Sequence, residues 1–180
     1  MRRATSISCA KHVASAEVRA SPKPPVQSAA QWEMPLLLRS KNANALTKMA
    51  GESLALDTSV VVKHLRGLSP QISQRLAEAE ELYLPTVALG ELLFGVERSG
   101  DDPRARVPLE KFLRDVVIIA TDDQTAAHYA KLRAHLAGQG TPIPDNDIWI
   151  AATAQRHQLP LYHDDGHFAL LSGLVEERCS

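Results

Sequence analysis

The sequence predicts an α/β fold in which helices flank a parallel sheet. Two observations carry that prediction. From Leu54 onward, short apolar runs recur between polar or turn-forming residues. The stretches between them carry helical periodicity or helix-end signals, so strands and helices alternate along the chain.

In order, "LALD" at 54–57 is a short apolar run ending in an acid, read as the first strand. "TSVVVKHLRG" follows, with Thr58 or Ser59 as a helix cap and Gly67 as a stop. The Val60-Val61-Val62 triplet favours a strand by propensity, which leaves this first boundary open. "SPQISQRLAEAEE" reads as a helix, "LYLP" as a strand and "TVALGELLFGVERS" as a second helix. "DDPRAR" at 101–106 reads as a solvated loop, "RARVPLEKFLRD" as a helix and "VVIIA" as a buried strand. "TDDQTAAHYAKLRAHLAGQG" has acids at its start and glycine at its end, as a helix should. "TPIP" makes a turn. "DNDIWIAATAQRHQ" is a helix apolar nearly all round and therefore buried, and "LPLYH" is the last strand. No internal repeat is present.

Composition bounds the class. A chain of 180 residues suffices for one domain with a sizeable core, with room for a tail. Its 44% apolar and 23% charged residues describe a soluble globular protein. No apolar run approaches the roughly 20 residues needed to cross a bilayer, so no membrane role is expected. Cys9 and Cys179 sit near opposite ends and suggest neither a disulfide framework nor a CxxC metal site, which fits a cytoplasmic location.

The net charge of -1 hides an asymmetry. Residues 1–48 carry eight Lys/Arg against two Asp/Glu, whereas residues 49–180 carry twelve against nineteen. The first segment is rich in Ala, Ser and Pro and lacks periodicity, so it cannot bury enough apolar surface to offset the entropy of ordering. It is expected to be a disordered extension, residues upstream of a true start at Met49, or an organelle-targeting segment. Residues 49–180 are expected to form the folded domain.

Carboxylates occur where α/β sheets bind ligands, outside the carboxyl ends of the strands. Asp57 ends the first strand, and Asp164 and Asp165 follow the last one. Asp145 and Asp147 open the "DIWIAATA" helix. Glu91 lies in an apolar stripe, with Val87 and Ala88 behind it and Phe94 and Gly95 ahead. A lone carboxylate there is costly unless it is paired, protonated or given a cation. Acids converging from distant positions would repel one another, and Mg²⁺ or Mn²⁺, which suit hard oxygen ligands, would remove that penalty. Each acid also has an ordinary reading. Asp57 could cap a helix, Asp145 and Asp147 could complement a helix dipole, and Asp164 and Asp165 could form a turn with Gly166. His163 and His167 are four apart beside the acids, but no second ligand pair completes a zinc site. His128 and His135 are expected on a helix surface.

"LALDTSVVV", "PTVALGELLFGVERS" and "GTPIPDNDIWIAATAQRHQLPLYHDDGHF", in that order, resemble the PIN-domain ribonucleases, specifically the VapC-like toxins of bacterial toxin–antitoxin pairs. The resemblance runs from about Leu54 to Leu174. It implies a three-layer fold with a central parallel sheet and a metal-dependent endoribonuclease activity. The catalytic acids it implies are Asp57, Glu91, Asp147 and Asp165. Thr58 or Ser59 matches the hydroxyl position beside the first acid, and Asp145 and Asp164 adjoin matched positions where water-mediated metal contacts would fall. Tyr162-His163 departs from the threonine often found before the last acids. The resemblance also implies an RNA substrate, a small cognate antitoxin that plugs the acid pocket with an Arg or Lys, and a homodimer. Arg98, Arg104 and Arg106 are the nearest basic residues in sequence for holding RNA. Two rival readings remain: a catalytically silent RNA- or partner-binding module, and a haloacid-dehalogenase-type phosphatase. The latter needs a second acid where this chain has Ser59.

Overall fold

A computed structural model describes residues 53–179; the expectations for residues 1–48, and the boundary at Met49, lie outside the described residues. The elements run β1 (Leu54–Leu56), α1 (Thr58–Leu65), α2 (Pro70–Glu78), β2 (Leu82–Pro85), α3 (Thr86–Arg98), α4 (Pro103–Phe112), β3 (Val117–Ile119), α5 (Asp123–Gln139), α6 (Asp145–Arg156), β4 (Leu161–His163), a 3₁₀ turn (Gly166–Leu170) and β5 (Glu176–Arg178). The five strands form one sheet in the order β3-β2-β1-β4-β5, and every neighbouring pair is parallel. This is the central parallel sheet with helices that the sequence predicts. Among the described residues no helix is long and apolar enough to cross a membrane.

The sheet order positions the site. From β1 the chain builds outward on one side through β2 and β3, then returns to the other side of β1 with β4 and β5. The strand order therefore reverses between β1 and β4. Because all strands run the same way, all carboxyl ends lie along one edge, and a reversal of strand order is where such sheets favour ligand sites. β1 is buried at all three residues, as a central strand covered on both faces must be.

The valine triplet folds as helix, not strand. Asp57 caps α1 by accepting the Ser59 N–H, and Val60 and Val61 are fully buried, so packing outweighs the modest β preference of valine. Gly67, at φ +63°, follows the helix in a left-handed conformation that glycine adopts without strain. The "DDPRAR" segment is also not the solvated loop expected. Asp102 accepts the Arg104 N–H as a helix cap, and Pro103 begins α4 at the position where a missing N–H costs nothing.

β5 lies beyond the strand expected to be last. Its sequence, Glu176-Glu177-Arg178, has no apolar signature because it is an exposed edge strand, where charge discourages pairing with other chains. Arg75 on α2 holds it with a paired contact, donating to the two Glu177 carboxylate oxygens at 2.7 and 2.9 Å. The core gathers the strands with one face each of α1, α2 and α3, and α6 supplies Ile148, Ile150 and the buried run Ala151–Ala154. α6 is buried nearly all round, as its composition predicts. His128 on α5 sits at the seam with α6, within 3.0 Å of the Gln155 side chain, and is not a free surface histidine.

Candidate functional site

Asp57 follows β1 directly and is only 5% exposed. Its carboxylate is held by the Ser59 N–H at 3.1 Å and by the Ser59 hydroxyl. Burial pushes its pKa up from the ordinary carboxylate value, more than the Ser59 hydrogen bonds pull it down, and the Glu91 charge raises it further. Ser59 thus supports the first acid, and Thr58 supports the second by donating its hydroxyl to Glu91 Oε2.

Glu91 occupies the middle of α3, half-buried rather than sealed in the core. Ala88 behind it is buried, but Phe94 ahead is 63% exposed, so the apolar stripe opens to solvent at this point. Its other oxygen, Oε1, accepts from Asn146 Nδ2 at 2.7 Å. Both Glu91 oxygens are therefore tethered, one to α1 and one to the first turn of α6. Asn146 was not among the residues that sequence reasoning singled out. Its place between two acids in the first turn of α6 is the only signal that could have drawn attention to it.

Asp147 lies in the first turn of α6, its side chain 17% exposed. Its pKa is raised by burial first and then by the charges of Asp57 and Asp165, against the lowering hydrogen bond of His167. Asp165 follows β4, caps the 3₁₀ turn by accepting the His167 N–H at 3.0 Å, and is 44% exposed at its side chain. Asp57, Glu91, Asp147 and Asp165 thus come from four separated stretches and lie in an electrostatic chain, each within range of at least one other.

His167 joins this cluster. Its Nδ1 lies 3.1 Å from Asp147 Oδ2 and 3.2 Å from Asp165 Oδ1, and one donor atom of each of the three residues falls within a 4.8 Å span. His163, four residues earlier, goes elsewhere. It is fully buried, packs on Phe168 and lies 2.9 Å from Glu176 Oε2 through Nε2. The Tyr162-His163 departure is thereby absorbed into the core, with Tyr162 also buried, and Asp165 remains beside Asp147 through His167.

Asp145 and Asp164 are engaged outside the cluster. Asp145 pairs with Arg133 on α5, with the Tyr129 hydroxyl also in range, and Asp164 pairs with Lys63 on α1. Arg106 is drawn into ion pairs with Asp101 and Glu110 at the start of α4.

The fold and the cluster together define an α/β domain that concentrates carboxylates beside the switch point of a parallel sheet. The chain belongs to the PIN-domain family, whose model matches residues 54–174. It is 36% identical to ribonuclease VapC5 of Mycobacterium tuberculosis over 120 residues, covering 66% of this chain and 87% of that one. Its fold is similar to the DNA-bound VapBC complex of Salmonella typhimurium, with TM-score 0.65, 26% identity, and coverage of 70% of this chain and 97% of the other. It is also similar to VapBC-5 of Mycobacterium tuberculosis, a member of the VapBC family of toxin–antitoxin systems, with TM-score 0.56, 32% identity, and coverage of 71% and 99%.

Proposed function

We propose that this chain is a metal-dependent endoribonuclease that serves as the toxin of a toxin–antitoxin pair in the cytoplasm. The observation that carries the proposal is the convergence of Asp57, Glu91, Asp147 and Asp165 at the switch point of a PIN-domain sheet. A domain has little structural reason to gather like-charged carboxylates where burial already disfavours the ionised forms of Asp57 and Asp147. A divalent cation supplies the missing counter-charge, and the donor set, dominated by carboxylate oxygens, fits Mg²⁺ or Mn²⁺.

In this reading Asp57 and Asp147 hold the ion, with Glu91 and Asp165 completing the acidic site. Ser59 keeps Asp57 oriented through its N–H and hydroxyl, and Thr58 and Asn146 keep both oxygens of Glu91 in place. The chemistry a bound ion supplies is activation of water and neutralisation of charge developing on the phosphodiester. Pre-set carboxylates matter because groups already in position need not reorganise during the reaction. No covalent nucleophile is required of the protein.

The partners follow from the relatives. The VapC5 relative is a ribonuclease and the structural neighbours are VapBC assemblies, which supports RNA as substrate and a small antitoxin as partner for this chain. A homodimer is part of the same proposal.

The test is cleavage of structured RNA by the purified full-length protein, with Mg²⁺, with Mn²⁺ and after chelation. Cleavage that requires the ion, and growth arrest relieved by coexpressing a neighbouring small gene, are the expected results. RNA bound but left intact with either ion would replace the enzyme with a silent binding module. Cleavage without growth arrest would retain the nuclease and remove the toxin role.

A further inference from the structure

The histidine beside the acids is unusual for a site otherwise made of hard oxygen donors. His167 Nδ1 has two carboxylate oxygens against it, Asp147 Oδ2 at 3.1 Å and Asp165 Oδ1 at 3.2 Å. One ring nitrogen carries at most one hydrogen, so it can make one good hydrogen bond, and its bond is to Asp147. The second oxygen, Asp165 Oδ1, accepts instead from the His167 backbone N–H at 3.0 Å, and no hydrogen is left for it to share with the ring nitrogen 3.2 Å away. Three potential ligand atoms within 4.8 Å of one another form a group that a cation can bridge, whereas a single proton serves only one pair.

The spacing agrees with that. Adjacent ligands of an octahedral ion are separated by the square root of two times the bond length, about 3.0 Å for bonds of about 2.1 Å. The two Nδ1–oxygen separations nearly match such edges. Backbone geometry also fixes the ring's approach, because the His167 N–H is bound to Asp165 Oδ1 at 3.0 Å in the same turn. His167 and Asp165 are thus held as a unit, facing the first turn of α6.

We propose that His167 is itself a metal ligand, binding through Nδ1 alongside Asp147 and Asp165, and that it biases the site towards Mn²⁺ over Mg²⁺. The bias follows from donor chemistry. Both ions suit carboxylate oxygens, but Mg²⁺ is the harder ion and gives up its waters reluctantly, whereas the larger, softer Mn²⁺ takes an imidazole nitrogen into its sphere more readily. Substituting one nitrogen for one oxygen therefore favours Mn²⁺. This inference rests on the metal-nuclease reading above and selects among the ions that reading allows.

A positioning histidine, one that merely orients Asp147 by a hydrogen bond, would also weaken metal binding when removed, so an affinity loss alone decides nothing. The deciding measurement is pulsed electron paramagnetic resonance of Mn²⁺ bound to the full-length protein. Coordinated imidazole gives a ¹⁴N modulation that a histidine outside the coordination sphere does not. We expect that modulation in the wild type and its loss in His167→Ala. Calorimetric titration should accompany it. The variant is expected to lose more than about tenfold in Mn²⁺ affinity, since removal of an outer-shell partner alone reaches that scale. Its Mg²⁺ affinity should fall much less, because the oxygen donors remain. Bound Mn²⁺ without ¹⁴N modulation, or an equal loss for both ions, overturns the ligand role and leaves the nuclease reading standing. Failure of the wild type to bind either ion overturns both.

Discussion

Asp147 has two contending explanations at the residue scale, a metal-site acid or a first-turn complement to the α6 dipole, and they predict opposite stabilities. Without metal, burial and the charges of Asp57 and Asp165 disfavour its ionised form. Asp147→Asn keeps the shape and can still serve the helix start while removing that charge. The metal-free variant is therefore expected to melt at the same temperature as the wild type or higher, with RNA cleavage falling steeply. Mg²⁺ or Mn²⁺ should stabilise the wild type more than the variant, since an ion that binds only the folded state stabilises it by mass action. A dipole acid would instead cost a few tenths to about 1 kcal/mol and leave cleavage unchanged. Asp57 supplies a pH test with a definite sign. Its folded pKa is raised above the ordinary value of 3.8, so the folded state binds the proton more tightly than the unfolded one. Its ionisation thus destabilises the metal-free protein above the folded pKa, and the penalty disappears as pH falls through that pKa towards 3.8. Metal-free Asp57→Asn, whose side chain can still cap α1, should be the more stable protein near neutral pH. That advantage should shrink on acidification, as followed by melting curves across pH. An advantage that grows on acidification would contradict the assignment of Asp57 as a buried, charge-burdened acid.

At the scale of the element, the helices are held at their ends by devices visible in the sequence. Ser69 caps α2 by accepting the Ile72 N–H at 3.3 Å, with Pro70 as the first helical residue. α5 is capped by Asp122, which accepts the Thr125 N–H, and it ends at Gly140 in the left-handed region at φ +67°. A Cβ added at Gly140 would meet nothing within 4 Å, so Gly140→Ala isolates the backbone effect. The expected cost is about 1–2 kcal/mol, the penalty for an L residue in left-handed geometry, read from the denaturation midpoint. Because α5 packs along α6, and α6 carries Asp147 and Asn146, full activity in the variant at low temperature would show that the cost is confined to the helix end. Tyr129 of α5 stacks on Trp149 of α6 with ring centroids 4.0 Å apart, a contact that fixes the α6 start relative to α5.

For the whole molecule, the family match begins at Leu54, the first residue of β1, and β1 lies at the centre of the sheet with β2 and β4 on its two sides. We propose that residues 49–180 are the functional domain. A chain beginning at Met49 is expected to fold with an unchanged melting transition and to cleave RNA as the full-length protein does. Loss of the cooperative transition in the shortened chain would show that residues 1–48 contribute to the domain. Hydrogen exchange on the full-length protein is the companion measurement, and strong protection within residues 1–48 would equally tie them to the domain.

Local chemistry determined much of this protein in advance. Alternating apolar and helical stretches specified a parallel α/β sheet, because each segment carries its own periodicity and end signals. Acids after β1 and β4 marked the edge where the carboxyl ends meet, because a parallel sheet gathers those ends along one side. Only the tertiary structure decided α1, where burial of Val60 and Val61 overrode β propensity, and β5, whose charged edge sequence has no local signature. The same holds for partners across the site. Asn146 reaches Glu91 across 55 positions and His167 reaches Asp147 across 20, whereas Asp145 and Asp164, beside the clustered acids in sequence, pair with Arg133 and Lys63. Periodicity is a property of neighbours along the chain, but which carboxylate meets which donor depends on how helices dock. That docking is settled by packing over the whole core.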